Sequence, residues 1–158
     1  SAELAEDYFG SATTFVAAEI DQTTRKAKIL NVGDSRAYLI DTQGNWQQIT
    51  QDHSILSELL ADFPDKKEED FATIYGGVSS CLVADYSEFQ DKIFYQEIEI
   101  QKGESLLLCS DGLTDGLSAE VREKIWKQYD NAQSRLTVCR KLIAKQGFYD
   151  DLSVVILK

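Results

Sequence analysis

The sequence predicts an α+β domain built on antiparallel sheet. Three observations lead there. Short β-branched and aromatic runs separated by turn residues fill the first third, two helical periodicities follow late in the chain, and a last apolar strand closes it. The length of 158 residues suits a single domain over 1–158 with a real core, and 43% hydrophobic content excludes bulk disorder.

In order, Phe15 to Ile20 reads as a first strand, and Asp21 to Thr24 as its turn. Ala27 to Val32 and Arg36 to Ile40 follow, with Gly33-Asp34 between them as a tight turn, and Trp46 to Thr50 comes after the turn at Thr42 to Asn45. Four such strands at turn-length spacing predict a β-meander in one antiparallel sheet. Ser54 then caps an amphipathic helix through Ile55, Leu56, Leu59 and Leu60 that Pro64 ends. The charged stretch from Asp65 to Asp70, with Gly76-Gly77 beyond it, predicts an exposed excursion.

Alternation returns from Ile93 to Ile100, and Lys102-Gly103 turns the chain. Leu106 to Cys109 is a continuous apolar strand of the kind buried on both faces. Ser118 caps a helix to about Tyr129. A second helix runs from about Ala132 through Leu136, Cys139, Leu142 and Ile143 until Gly147 stops it, and Leu152 to Leu157 is the final strand.

Charge and composition narrow the function. Sixteen Lys and Arg against 27 Asp and Glu leave a net charge of −11, which disfavours nucleic acid and anionic membranes as partners. No apolar run approaches the roughly 20 residues that span a bilayer. The three cysteines form no C-x-x-C pair, so neither a disulfide framework nor a zinc knuckle is expected, and a reducing cytoplasm is.

With one histidine in the chain and the cysteines in apolar settings, chemistry falls to carboxylates. Asp34 sits in Gly33-Asp34-Ser35-Arg36, Asp111 follows the apolar strand in Ser110-Asp111-Gly112, and Asp150-Asp151 precedes the last strand. Each stands at a strand end. If the strands share a sheet or two facing sheets, these oxygens can meet and select a hard cation such as Mg²⁺ or Mn²⁺. Taken singly, Asp before Gly is also an ordinary turn residue, and Asp pairs cap turns without any ligand.

Five words, read together, resemble the metal-dependent protein phosphatase family, the type 2C or PPM serine/threonine phosphatases. They are Gly10-Ser11-Ala12-Thr13-Thr14, Asn31-Val32-Gly33-Asp34-Ser35-Arg36-Ala37-Tyr38, Thr50-Gln51-Asp52-His53-Ser54, Leu108-Cys109-Ser110-Asp111-Gly112-Leu113-Thr114-Asp115 and Asp150-Asp151-Leu152-Ser153-Val154-Val155.

The resemblance implies a two-layer antiparallel β-sandwich flanked by helices. It also implies a binuclear Mg²⁺ or Mn²⁺ centre whose activated water hydrolyses phosphoserine or phosphothreonine in a protein substrate. By motif, Asp111 and Asp150 match the core metal ligands and catalytic carboxylates. Asp34 matches an acidic residue of an additional, weaker metal, and Asp115 an assisting position. Residues 62–80 correspond to the family's variable flap.

The sequence lacks the family's Asp-Gly-x-Gly-Gly word and the strands around it. The expectation is therefore an N-terminally truncated phosphatase domain, lacking its N-terminal strands and inactive alone, whose unpaired sheet edges invite self-association. The rival reading is a pseudophosphatase, a protein-binding regulatory module without catalysis. Asp151 stands where the family has Asn, and Ala12 where it has Gly. His53, Arg36, Cys109, Trp46 and Trp126 are read as structural.

Overall fold

The computed structural model describes residues 9–71, 77–84, 92–147 and 150–157. The elements in chain order are β1 (Ala12–Thr13), β2 (Phe15–Asp21), β3 (Lys26–Val32), β4 (Arg36–Ile40), β5 (Trp46–Gln48), α1 (Ile55–Asp62), a 3₁₀ turn (Glu68–Asp70), β6 (Leu82–Val83), β7 (Phe94–Glu99), β8 (Ser105–Cys109), α2 (Asp111–Gly116), α3 (Ala119–Gln128), α4 (Ala132–Lys145) and β9 (Val154–Leu157).

They form two main antiparallel sheets, ordered β2-β3-β7 and β5-β4-β8-β9, and a small pair β1-β6. The residue pattern explains the layering. In β3, Ala27, Ile29 and Asn31 point inward while Lys26, Lys28 and Leu30 point out, the alternation of a half-buried strand. Ala27 and Ile29 meet Ala37, Ile49 and Leu106 in a core between the sheets, with Val16, Ala18, Ile20 and Leu157 packed around it.

β4 and β8 are buried on both faces, as the apolar run at Leu106 to Cys109 predicts. Ala37 and Leu106 face the other sheet, whereas Tyr38, Ile40, Leu107 and Cys109 face Leu113, Leu117, Ile125, Trp126, Cys139 and Ile143 of the helical layer. Each fully buried Leu or Ile contributes about 1.5–3 kcal/mol by leaving water. Helices α2, α3 and α4 therefore cover the outer face of the four-stranded sheet.

Sequence signals place most element ends. Ser54, Ser118 and Asn131 each accept a hydrogen bond from the backbone N–H of the third residue on, capping α1, α3 and α4. Gly147 leaves α4 at φ +70°, and Gly103 turns β7 into β8 at φ +91°.

The meander in one sheet is corrected. β3 does not pair with β4; residues 33–35 carry the chain from one sheet to the other, so β2 and β3 lie in one layer and β4 and β5 in its partner. The crossing needs glycine. Gly33 has φ +103°, and a β-carbon there would stand 2.5 Å from Thr14 Cγ2. Helix α2 also escapes the sequence reading, because six residues with Gly112 and Gly116 among them carry no usable period.

Of the excursion at 62–80, residues 62–71 are largely exposed, as expected, and residues 72–76 lie outside the described residues, as does the opening stretch 1–8. The chain returns at Gly77, whose carbonyl accepts from Ile55 N–H at 3.0 Å, and Ser79 N–H donates to the His53 carbonyl at 2.9 Å.

Candidate functional site

Asp111 is the first residue of α2, directly after β8. Its carboxylate accepts from Gly112 N–H at 2.9 Å. Ser110 joins this turn to the one before β9: its N–H donates to the Ser153 carbonyl at 3.1 Å, its hydroxyl donates to the Asp151 carbonyl at 3.0 Å, and it accepts from Ser153 N–H at 3.1 Å. The β8 and β9 ends are thus tied, which brings the charge of Asp150 within reach of the Asp111 carboxyl. Asp150 is exposed, and its carboxylate accepts from Asp151 N–H at 2.8 Å.

The electrostatics record this gathering. Partial burial pushes the Asp111 carboxyl up, and the charges of Asp150 and then Asp115 push it further. Asp34 is raised as well, first by burial and then by Asp111, with Asp52 adding and Arg36 opposing. Asp111 is thus the common neighbour: Asp150 and Asp115 act on its carboxyl, and its own charge acts on Asp34. This concentration of like charge from hard oxygen donors has the chemistry of a Mg²⁺ or Mn²⁺ site rather than of a soft-metal one. Among the described residues, however, no three His, Cys, Asp or Glu side chains come close enough together to hold a metal ion.

Behind the aspartates stands a polar framework that the sequence words contain but do not explain. Arg36 forks onto Asp52, its Nε lying 3.0 and 2.8 Å from the two oxygens and its Nη2 contacting Oδ2, and Gln48 Nε2 donates to Asp52 Oδ1 at 2.9 Å. Asn31 Nδ2 donates to the carbonyls of Gly33 and Gln51 at 3.1 and 3.3 Å. The hydroxyls of Thr14 and Ser35 share a hydrogen bond of 2.9 Å, and Ala37 N–H donates to Thr50 Oγ1 at 3.0 Å. Thr14, Asn31, Thr50 and Asp52 were thus missed as supporting residues; their signal was their membership of the matched words.

The remaining candidates take the structural roles assigned them. His53 is buried and accepts the Gly33 N–H at Nδ1, 3.2 Å away. Burial pushes the Cys109 thiol up to about 12 and the Cys139 thiol to about 11, so neither is a nucleophile at neutral pH. Trp46 and Trp126 meet edge to face with centroids 4.7 Å apart, and the Arg122 guanidinium lies 5.2 Å from both the Tyr38 and Trp46 rings.

Two facing antiparallel sheets with helices over one outer face are the α+β sandwich of the metal-dependent phosphatase type. The chain belongs to the protein phosphatase 2C family, whose profile matches residues 3–144.

Among its relatives, the serine/threonine phosphatase stp of Listeria innocua is 32% identical over 157 residues, covering 99% of this chain and 60% of the relative. Protein phosphatase PhpP of Streptococcus pneumoniae is 30% identical over 154 residues, 96% of this chain and 60% of the relative. The chain therefore spans about 60% of the length of the curated relatives it matches.

The crystal structure of the Mycobacterium tuberculosis serine/threonine phosphatase PstP/Ppp superimposes with a TM-score of 0.77 at 26% identity over 98% of this chain and 63% of that one. The PstP catalytic domain in complex with two manganese ions gives 0.71 at 25% identity over 98% and 61%.

Proposed function

We propose that the chain belongs to a metal-dependent protein serine/threonine phosphatase that hydrolyses phosphoserine or phosphothreonine in a phosphoprotein, and that these 158 residues alone are inactive. The observation that carries this reading is the coupling of Asp111 and Asp150 at the tied ends of β8 and β9, in a chain of this family.

In this reading Asp111 and Asp150 are the catalytic carboxylates that hold Mg²⁺ or Mn²⁺, with Asp34 and Asp115 as weaker contributors. Their all-oxygen chemistry suits such an ion, and its charge would offset both the burial and the neighbouring negative charge that raise Asp111 and Asp34. When bound, the metal supplies activated water and neutralises phosphoryl charge. The protein's own part is orientation. Ser110 fixes the two loops against each other, and the Arg36–Asp52 pair holds the start of β4 next to Asp34.

The free thiols of Cys109 and Cys139 support a reducing, cytoplasmic setting, and no helix among the described residues is long and apolar enough to cross a membrane. β2 and β9 are sheet edges flanking a cleft of about 550 Å³ lined by Ala18, Ile20, Ile100 and Leu157. That flank supports self-association by edge pairing. We take residues 1–158 as one domain and residues 62–80 as its flap.

The test is calorimetric Mn²⁺ titration of the chain, alongside hydrolysis of a phosphothreonine peptide, with Asp111→Asn and Asp150→Asn. Binding lost in both variants supports the assignment. Undiminished binding in both overturns these ligands, and a wild-type chain that takes up no Mn²⁺ leaves the protein-binding module as the better reading.

A further inference from the structure

The strand crossing at Gly33 is held from a distant segment by His53 and from its own strand by the Asn31 side chain, whose Nδ2 donates to the Gly33 carbonyl at 3.1 Å. His53 N–H donates to the Gly33 carbonyl at 2.9 Å, and Gly33 N–H donates to His53 Nδ1 at 3.2 Å. Both backbone groups of Gly33 thus end on one residue, twenty positions away, that is 8% exposed. An acceptor at Nδ1 requires that nitrogen to be unprotonated, which fixes the imidazole as the neutral tautomer with its proton on Nε2.

On its other side His53 belongs to a backbone zipper. Its carbonyl accepts from Ser79 N–H at 2.9 Å, Ser54 bridges to Val78, and Ile55 N–H donates to the Gly77 carbonyl at 3.0 Å. A continuous path therefore runs from the segment returning at Gly77, through His53, to the Gly33 peptide and the carboxylate of Asp34 beyond it.

We propose that His53 is a positioning residue for Asp34, through which the segment at 77–79 governs where the Asp34 carboxylate points. The inference rests on the reading of Asp34 as a carboxylate of the metal end. Gly33 has φ +103° and sits against Thr14, and of its two backbone groups the N–H is held by the His53 ring while the carbonyl is shared between His53 N–H and Asn31 Nδ2. Histidine suits the task because a buried loop N–H otherwise left without a partner is costly, and the ring supplies an acceptor from a separate backbone segment.

His53 is the sole histidine, so its ring nitrogens are assigned without ambiguity. Nitrogen-15 spectra of the metal-free chain should show an unprotonated, hydrogen-bonded Nδ1. Amide exchange at Gly33 and Asp34 is expected to quicken about tenfold or more in His53→Ala and to be partly restored in His53→Asn, whose side-chain oxygen accepts as Nδ1 does. Ser79→Pro, which removes the N–H given to His53 without touching the ring, is expected to quicken exchange at Gly33 too. Unchanged exchange at Gly33 in both His53→Ala and Ser79→Pro overturns the proposal. Should His53→Ala not fold, His53→Asn and Ser79→Pro decide alone.

Mn²⁺ titration separates this inference from the reading beneath it. A drop of about tenfold in affinity in His53→Ala with recovery in His53→Asn is the expected result. Equal affinity in wild type and His53→Ala, with the turn demonstrably loosened, refutes positioning while leaving the metal reading intact. A wild-type chain that binds no Mn²⁺ removes the metal reading, and the exchange arms still decide whether His53 controls the Asp34 turn.

Discussion

The Asp151 carbonyl oxygen lies 2.6 Å from the point where a β-carbon on Gly112 would stand. The backbone before β9 thus rests directly on the first turn of α2, and the same approach brings the charge of Asp150 within reach of the Asp111 carboxyl. Gly112 is buried and helical, so only space, not an unusual backbone angle, demands glycine here.

Gly112→Ala should therefore force the two loops apart. Overpacking against a backbone atom costs about 1–3 kcal/mol, and urea denaturation should show a loss in that range. Mn²⁺ affinity should fall beyond what the stability loss explains, because the separation of Asp111 and Asp150 widens. Wild-type stability in the alanine variant would mean that the loops yield freely and that their contact does not set the carboxylate spacing.

Asp150→Asn removes a charge that raises the Asp111 carboxyl while leaving a side chain of nearly the same shape. In chelator the variant should melt slightly higher than wild type, by roughly 1–3 °C, since a repulsion between partly solvated charges is relieved. In saturating Mn²⁺ the order should reverse, because ligand binding stabilises only the chain that can hold the ion. A scan of both proteins with and without metal measures this crossing; parallel shifts in the two conditions would place Asp150 outside the metal end.

The Arg36–Asp52 fork is mostly shielded, with side chains 25% and 13% exposed. Arg36→Met leaves Asp52 with Gln48 as its one side-chain donor among the described residues. The expected loss is about 1–3 kcal/mol, below the range of a fully buried pair because water reaches this one. Arg36→Lys should recover only part of it, since an ammonium cannot fork onto both oxygens. Chemical denaturation of the two variants checks the ranking.

Much of this was legible in the residues. The alternation in β3, the double burial of β8 and the caps at Ser54, Ser118 and Asn131 are local signals, and local signals survive without a fold. The positions of Asp34, Asp111 and Asp150 at strand ends were equally plain. What stayed hidden depends on which strands face which. Nothing in the period of β3 and β4 says that Gly33 changes sheets instead of closing a hairpin. The reciprocal bonds between Gly33 and His53 exist only once that crossing is made. Helix α2 was invisible for the opposite reason: it is too short to express a period, and the close approach of Gly116 to Ile143 exists only once the fold is made.

Glu58 pins the returning segment to α1, accepting from Ser79 Oγ at 2.9 Å and from Lys92 Nζ at 3.0 Å. The hydrogen bond from Lys92 lowers its carboxyl from the ordinary value of 4.5, and Ser79 adds to the effect. A carboxyl depressed in the folded chain contributes stability that is present above its unfolded value and is lost as the pH falls through the folded one. Exchange at the Ser79 amide, which is bonded to the His53 carbonyl, should therefore stay slow from neutrality down to about pH 4.5 and quicken below it, relative to the intrinsic rate. Glu58→Gln should abolish that acid step and leave Ser79 exchanging faster at neutral pH, because the charge-assisted bond from Lys92 becomes a neutral one. An acid step of undiminished size in Glu58→Gln would assign the loosening to another carboxyl.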